Sequence, residues 1–114
     1  QRAIRQAITD TATNTGMVLT VAFDYGSRAE LLRAAQQCAN NSSSGEPITT
    51  AAVQSRLYSS EMPDVDLLIR TSGESRISNF MLWQIAKAKV YFTERSWPDL
   101  DAVEFDAALA LLRT

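Results

Sequence analysis

The 114-residue chain contains no histidine and only one cysteine, Cys38. Without histidine it cannot form a Ser-His-Asp or Cys-His nucleophile pair, and the usual zinc ligand sets are excluded as well. A single cysteine cannot form a disulfide within the chain, and it suits a reducing compartment. A bound metal would therefore be a hard cation held by oxygen ligands, with magnesium as the leading candidate.

The chain also has no excess of basic residues and no long apolar run. Its 11 Lys and Arg residues are outnumbered by 13 Asp and Glu residues, which gives a formal net charge of −2. Because no basic cluster is available to neutralise a phosphate backbone, nucleic acid is not expected as a partner. No stretch is long enough to span a bilayer and none resembles a secretion signal, which favours a cytoplasmic protein.

Predicted strands and helices alternate along the chain. Apolar or alternating runs predict strands at residues 17–23, 65–69 and 89–92. Helical periodicity and candidate caps at Gly16, Thr49 and Asp101 predict helices at residues 1–14, 27–39, 49–59 and 79–86 and from residue 101 onward. This order predicts one α/β domain, with a mainly parallel sheet and helices on both faces. Met17, Leu19 and Val21 are assigned to an ordinary core rather than to a lipid tunnel.

Candidate ligand residues follow the strand predicted at residues 65–69. The strand runs into Arg70, and the helical pattern of residues 80–85 begins soon afterwards. The loop between them contains Glu74, Arg76, Ser78 and Asn79. Two guanidinium groups, hydroxyls and a helix N-terminus would thus converge at the carboxyl end of a strand, where parallel sheets bind ligands. These groups suit a diphosphate, although the arginines taken alone fit surface ion pairs equally well.

Longer motifs in the same region resemble a known enzyme family. Residues 66–80 read DLLIRTSGESRISNF, followed by LWQ at 82–84 and WPD at 97–99. This stretch resembles the motif of the cis-prenyltransferases, the undecaprenyl diphosphate synthase-like enzymes, with one conservative change at Met81. Residues 24–28, DYGSR, resemble the NYGGR segment of that family. The resemblance implies that residues 1–114 form the carboxy-terminal half of a single catalytic domain, with the amino-terminal half absent.

The start of the chain fits this assignment. The sequence begins with Gln1 rather than with Met, and Gln1 already lies inside a helical pattern. We therefore expect the chain to be a piece of a longer polypeptide.

The resemblance implies cis-prenyl chain elongation, in which isopentenyl diphosphate condenses with an allylic diphosphate to give a polyprenyl diphosphate, a lipid-carrier precursor. It also implies the family's α/β fold, magnesium, a homodimer, and peripheral membrane contact through the product. At the matching positions Arg70, Arg76 and Ser78 would bind the diphosphate of isopentenyl diphosphate. Glu74 would orient the arginines, and Asn79 would shape the loop.

The family's aspartate-containing DGNxR segment has no counterpart in the chain. The resemblance therefore implies no catalytic residue in this half, and the chain alone is expected to be inactive. A second hypothesis is a non-catalytic partner subunit of a heteromeric cis-prenyltransferase. The missing segment favours that subunit, whereas the intact set of arginines and serine favours the enzyme.

Lys89 occupies the position of a glutamate that helps to hold magnesium in the family. An ammonium group has no lone pair with which to bind a cation, but it can offset diphosphate charge. Three interpretations follow. Lys89 replaces part of the electrostatic role of the metal, the chain is a weakened or non-catalytic member, or Glu94 takes the place of the glutamate.

Overall fold

The computed structural model describes residues 1–41 and 47–113. Four α-helices and two β-strands make up the regular structure of this part of the chain. In chain order they are α1 (Arg2–Thr11), α2 (Ser27–Asn41), α3 (Thr50–Gln54), β1 (Leu67–Arg70), β2 (Lys89–Phe92) and α4 (Ala102–Ala110). Short 3-10 helices span Trp97–Asp99 and Leu111–Arg113. Residues 42–46 lie outside the described residues.

The two predicted N-terminal helix caps are confirmed. The Thr49 side chain accepts a hydrogen bond from the Ala52 N–H, and the Asp101 side chain accepts one from the Glu104 N–H at 2.9 Å. The predicted cap at Gly16 is wrong, because α1 ends earlier, at Thr11, and its C-cap residue Ala12 has a right-handed helical conformation. Short polar side chains that satisfy free N–H groups therefore set where α3 and α4 begin.

The sheet consists of β1 and β2, which pair in parallel. Leu67 lies opposite Lys89, and Arg70 lies opposite Phe92. The Thr93 N–H donates to the Arg70 carbonyl at 3.0 Å, just beyond the carboxyl ends of both strands. The α4 helix packs against β1. The prediction of an α/β fold with parallel pairing is confirmed, and the strand predicted at residues 89–92 has the predicted bounds.

The strand and core predicted at residues 17–23 are not found. This segment has no regular secondary structure, and its large apolar side chains are 62–91% exposed. A strand forms only when a neighbour satisfies its N–H and C=O groups. No strand among residues 1–41 and 47–113 pairs with this segment, so these groups are left to water.

The helix predicted at residues 79–86 is also wrong, because this segment forms a series of turns. The Ser27 hydroxyl accepts a hydrogen bond from the Leu82 N–H at 2.8 Å, and the Asn79 carbonyl accepts one from the Ser27 N–H at 3.0 Å. Met81 has a positive φ of 48°, which interrupts a right-handed helix. Hydrogen bonds to the start of α2 therefore override the local helical preference. The helix predicted at 49–59 is likewise shorter, since α3 ends at Gln54.

A buried carboxylate joins α2 to the segments packed against it. Glu30 is 1% exposed and accepts hydrogen bonds from the Tyr58 N–H at 2.6 Å, Gln84 Nε2 at 3.2 Å and the Tyr25 hydroxyl. Gln84 Nε2 also donates to the Ser59 hydroxyl at 2.8 Å. Burial, followed by the hydrogen bond to Glu30, raises the pKa of Tyr25 above its ordinary value.

The hydrophobic core is small, and the molecule is extended for its mass. Fully or nearly fully buried apolar side chains belong to Ala34, Cys38, Leu57, Ile85 and Ala108. The accessible surface area is 9132 Å², whereas a compact monomer of this mass exposes about 6,200 Å². The radius of gyration is 17.3 Å, against about 13 Å for a compact chain of this length. No helix of the described residues is long and apolar enough to cross a membrane.

We expect Glu30→Ala to lower the free energy of unfolding by about 2–4 kcal/mol, because it removes the acceptor of the Tyr58 N–H and of the Tyr25 hydroxyl and one of the two acceptors of Gln84 Nε2. Urea denaturation followed by circular dichroism measures this change. Glu61→Ala, at an exposed glutamate, is the matched control and is expected to alter stability by less than about 0.5 kcal/mol. Equal effects of the two substitutions would show that Glu30 does not stabilise the fold.

Candidate functional site

The loop that follows β1 is attached to the segment that follows β2. The Ser72 N–H donates to the Arg95 carbonyl at 2.7 Å, and the Gly73 N–H donates to the Thr93 carbonyl at 3.0 Å. Both bonds lie at the edge of the sheet where the parallel strands end. We call residues 70–79 the arginine loop. Main-chain hydrogen bonds hold the backbone of this loop, so the positions from which its side chains extend are fixed.

The guanidinium groups of the arginine loop converge on one carboxylate. Arg76 Nε lies 2.7 Å from Glu74 Oε2, and Arg70 Nη2 lies 3.7 Å from the same oxygen. The Arg70 side chain is 29% exposed and that of Arg76 is 68% exposed. Two positive groups around one negative group give the cluster of Arg70, Glu74 and Arg76 a net charge of +1. The predicted convergence of Arg70, Glu74 and Arg76 is thus present in the structure.

Arg70 and Arg76 retain unused hydrogen-bond donors. Arg70 Nε is buried and has no hydrogen-bond partner in the part of the chain that the structure describes. Within the same residues, Glu74 is the only carboxylate in ion-pair contact with either arginine. A guanidinium carries five N–H donors, and Arg76 uses its Nε toward Glu74. Arg76 is exposed, so its remaining donors, beside a net positive charge, can bind an anion with several oxygen atoms.

Asn79 connects the arginine loop to the start of α2. Its Oδ1 accepts a hydrogen bond from the Arg28 N–H at 2.9 Å. A Cβ added to Gly26 would lie 3.0 Å from Asn79 Nδ2, so a side chain at that position would crowd the contact. Ser78, next to Asn79, is half-buried, and no hydrogen bond of its hydroxyl is found among the described residues. Sequence reasoning assigned Asn79 to the shape of the loop but missed its partner segment, residues 26–28.

The structure also changes which groups could hold an anion. Since residues 79–86 form turns, the helix N-terminus predicted beside Ser78 is absent. No helix dipole of this segment therefore supports binding. The two guanidinium groups and the hydroxyl of Ser78 remain as donors from the predicted set.

Glu94 lies against the arginine loop. Gly73 has a φ of +70°, and a Cβ built on it would lie 2.5 Å from Glu94 Oε2. The carboxylate of Glu94 therefore occupies the space that a side chain at position 73 would need. The sequence signals this contact only through the small residue at 73 and the acidic residue just after the strand predicted at 89–92.

Lys89 lies at the opposite end of β2 from this contact. It pairs with Leu67, three residues before the carboxyl end at Phe92, which is about 10 Å along the strand. Lys89 and the arginine loop therefore lie at opposite ends of the strands. Lys89 and Glu94 were both considered for the role of the family's glutamate, and of these two only Glu94 borders the arginine loop.

The described residues do not by themselves fit a magnesium site. Among residues 1–41 and 47–113, no group of three or more His, Cys, Asp or Glu side chains is placed to hold a metal ion. Glu74, the carboxylate nearest the arginines, is already engaged by both of them. A magnesium ion would need ligands from a substrate or from other parts of the protein.

Comparison with known proteins assigns the family. Residues 1–113 match the prenyltransferase family model described as undecaprenyl diphosphate synthase. An isoprenyl transferase from Geobacillus kaustophilus is 46% identical, and the alignment covers 96% of this chain and 44% of that protein. A ditrans,polycis-undecaprenyl-diphosphate synthase, (2E,6E)-farnesyl-diphosphate specific, from Vibrio vulnificus is 52% identical, with 87% of this chain and 41% of that protein covered.

A solved structure with the same fold is that of lavandulyl diphosphate synthase from Lavandula x intermedia, in complex with dimethylallyl diphosphate. It superposes with a TM-score of 0.85 at 34% identity, covering 99% of this chain and 50% of that chain. The chain thus spans less than half the length of the curated relatives and half of this structural neighbour. The assignment to the carboxy-terminal half stays a prediction.

We expect Gly73→Ala to deform the arginine loop, because alanine disfavours the positive φ and its Cβ would collide with the Glu94 carboxylate. Isothermal titration with inorganic pyrophosphate should then show affinity weakened by about tenfold, which corresponds to roughly 1.4 kcal/mol. Gly16→Ala is the matched control, since a Cβ there meets nothing within 4 Å. An unchanged affinity for Gly73→Ala would mean that this loop geometry does not matter for anion binding.

Proposed function

Because the chain belongs to the undecaprenyl diphosphate synthase family of prenyltransferases, we propose that it forms the part of a cis-prenyltransferase that holds isopentenyl diphosphate. The complete enzyme would condense this substrate with an allylic diphosphate and elongate a cis-prenyl chain to a polyprenyl diphosphate. The single observation that carries the proposal is the convergence of Arg70 and Arg76 on one oxygen of Glu74.

The charge and geometry of the arginine loop support this role. A diphosphate offers several anionic oxygens, and a planar guanidinium binds two of them in a fixed direction. Arg70 and Arg76 are the diphosphate-binding residues in this proposal, and Ser78 adds a hydroxyl donor from the same loop. Glu74 keeps the two guanidinium groups together before the substrate arrives, so less conformational freedom is lost on binding.

Holding isopentenyl diphosphate at this edge of the sheet has a chemical purpose. Its double bond must meet the allylic carbon as that carbon loses its own diphosphate. Fixed placement of two reactants can supply about 7–11 kcal/mol of a reaction barrier. This half of the domain contributes placement and charge, and no side chain of it is assigned to a proton transfer or a covalent step.

The remaining components of the enzyme would come from outside this chain. The complete protein would supply the allylic diphosphate site, the ligands of a magnesium ion and a dimer partner, and its product would contact a membrane surface. We propose that this protein is cytoplasmic. The dimethylallyl diphosphate of the lavandulyl diphosphate synthase complex and the farnesyl diphosphate named for the Vibrio relative suggest both compounds as test substrates. A subunit without a catalytic role would have no need for an ordered arginine loop. This disfavours the second hypothesis, a non-catalytic partner subunit of a heteromeric cis-prenyltransferase.

We expect Arg76→Ala to weaken the binding of isopentenyl diphosphate by about 10- to 150-fold, because a hydrogen-bonded charged group is worth about 1.5–3 kcal/mol. Isothermal titration of the chain with isopentenyl diphosphate measures the change. Arg2→Ala, an exposed arginine at the start of α1, is the matched control and should leave affinity unaltered. Binding that is equally strong in wild type and Arg76→Ala would refute the site.

We expect the chain alone to form no product from isopentenyl diphosphate with either dimethylallyl or farnesyl diphosphate, because it spans about half of a catalytic domain. Chromatography of radiolabelled lipid products measures turnover. Joining the chain to the rest of a catalytic domain, taken from the Geobacillus relative, should restore product formation. A joined protein that is folded but inactive would favour the non-catalytic subunit.

A further inference from the structure

Ser27, the first residue of α2, holds both ends of the segment formed by residues 79–82. Its backbone N–H donates to the Asn79 carbonyl at 3.0 Å, and its hydroxyl accepts a hydrogen bond from the Leu82 N–H at 2.8 Å. Ser27 is 0% exposed, so water does not compete for either bond. One buried residue therefore closes the turn that follows the arginine loop.

The hydroxyl of Ser27 is absent from the family segment that this part of the chain resembles. Residues 24–28 read DYGSR, and the NYGGR segment has a glycine in place of the serine. A glycine could supply the backbone bond to Asn79 but no acceptor for the Leu82 N–H. The bond between the Ser27 hydroxyl and Leu82 is thus a contribution of the side chain alone.

Without this acceptor, the Leu82 N–H has a local alternative. In an α-helix each N–H donates to the carbonyl four residues earlier, which is that of Ser78 for Leu82. The apolar periodicity of residues 79–86 favours a helix, and one such bond already joins the Ile85 N–H to the Met81 carbonyl at 2.9 Å. A helix would also relieve Met81 of its φ of 48°, which is unfavourable for a residue with a side chain. Loss of the acceptor would therefore shift the segment from the turn toward the helix.

This shift would reach the arginine loop through its last two residues. A helix that begins near Ser78 would engage the Ser78 and Asn79 carbonyls along its own axis, and the Asn79 carbonyl would leave the Ser27 N–H. In the proposed function the Ser78 hydroxyl donates to the diphosphate, and Arg76 lies only two residues before it. The conformation of residues 79–82 therefore decides where these two donors lie.

We propose that Ser27 is a positioning residue of the isopentenyl diphosphate site. Its hydroxyl holds residues 79–82 in the turn conformation and so keeps Ser78 and Arg76 in the geometry that binds a diphosphate. Because its side chain is fully buried and bonded to Leu82, Ser27 acts through this segment and not on the anion itself. The inference rests on the proposed function, since it concerns the same site.

Isothermal titration of the chain with inorganic pyrophosphate tests the positioning role. Ser27→Ala should weaken binding by about three- to tenfold, the factor that corresponds to the loss of one hydrogen bond from the binding-competent conformation. Ser27→Gly lacks the same acceptor and should weaken binding by at least as much, which provides a second measurement if Ser27→Ala does not fold. Ser27→Thr keeps a hydroxyl and should bind within about twofold of wild type.

Thr49→Ala is the matched control. The Thr49 hydroxyl also accepts a hydrogen bond from one backbone N–H, that of Ala52 at 3.1 Å, but it does so at the start of α3. A residue that only stabilises the fold leaves the affinity of the folded chain unchanged. Thr49→Ala should therefore bind pyrophosphate within about twofold of wild type, and circular dichroism checks that each variant is folded.

Nuclear magnetic resonance supplies a signature that needs no ligand. In Ser27→Ala the Cα chemical shifts of residues 78–82 should move toward helical values, whereas Thr49→Ala should leave them at their wild-type values. A structural role confined to stability would move neither set.

Several outcomes would overturn the positioning role. One is that Ser27→Ala and Ser27→Gly bind pyrophosphate as tightly as wild type, or that Thr49→Ala loses as much affinity as they do. Another is that the Cα shifts of residues 78–82 do not change in Ser27→Ala. If the wild-type chain binds no pyrophosphate, the proposed function fails and the positioning role fails with it. If wild type binds and the Ser27 variants bind equally well, only the positioning role fails.

Discussion

Two arginine side chains of like charge lie side by side at the end of β1 because one carboxylate lies between them. Two like charges close together repel each other, more strongly near a protein surface than in bulk water. Glu74 offsets this repulsion through a single oxygen, 2.7 Å from Arg76 and 3.7 Å from Arg70. The site is partly exposed, so the pairs add little stability in themselves. Their importance is geometric, because they bring both guanidinium groups to one carboxylate oxygen and give the three side chains a net positive charge.

This arrangement depends on how the backbone of the loop is held. Main-chain bonds from Ser72 and Gly73 attach one end to the segment after β2, and Asn79 attaches the other end to the start of α2. These tertiary bonds prevent residues 79–86 from forming the helix that their apolar periodicity favours. The same competition explains the positive φ values at Gly73 and Met81. Backbone strain at a site is maintained only when the surrounding contacts outweigh it.

The distribution of surface separates two parts of the molecule. Glu30 and its hydrogen-bond partners join α2 to the segments around Tyr58 and Gln84, and this region contains most of the buried side chains. Within the part of the chain that the structure describes, residues 4–23 have no such buried partners, and Ile4, Ile8 and the large apolar side chains of residues 17–23 are exposed. Because burial of apolar area is the main favourable term in folding, the two parts should differ in stability. Such a division is expected for a chain that spans about half the length of its relatives.

The sequence alone determined the family, the α/β class, the strand at 89–92, the caps at Thr49 and Asp101, and the set of charged residues around Arg70. Those features depend on short-range patterns or on a long motif, both of which can be read along the chain. Only the tertiary structure decided three others: that residues 79–86 turn rather than coil into a helix, that Glu94 rather than Lys89 borders the arginine loop, and that residues 17–23 remain unpaired. Each of these depends on contacts between residues distant in the sequence, such as Ser27 with Leu82 and Gly73 with Glu94, or on a neighbouring strand that local periodicity cannot supply.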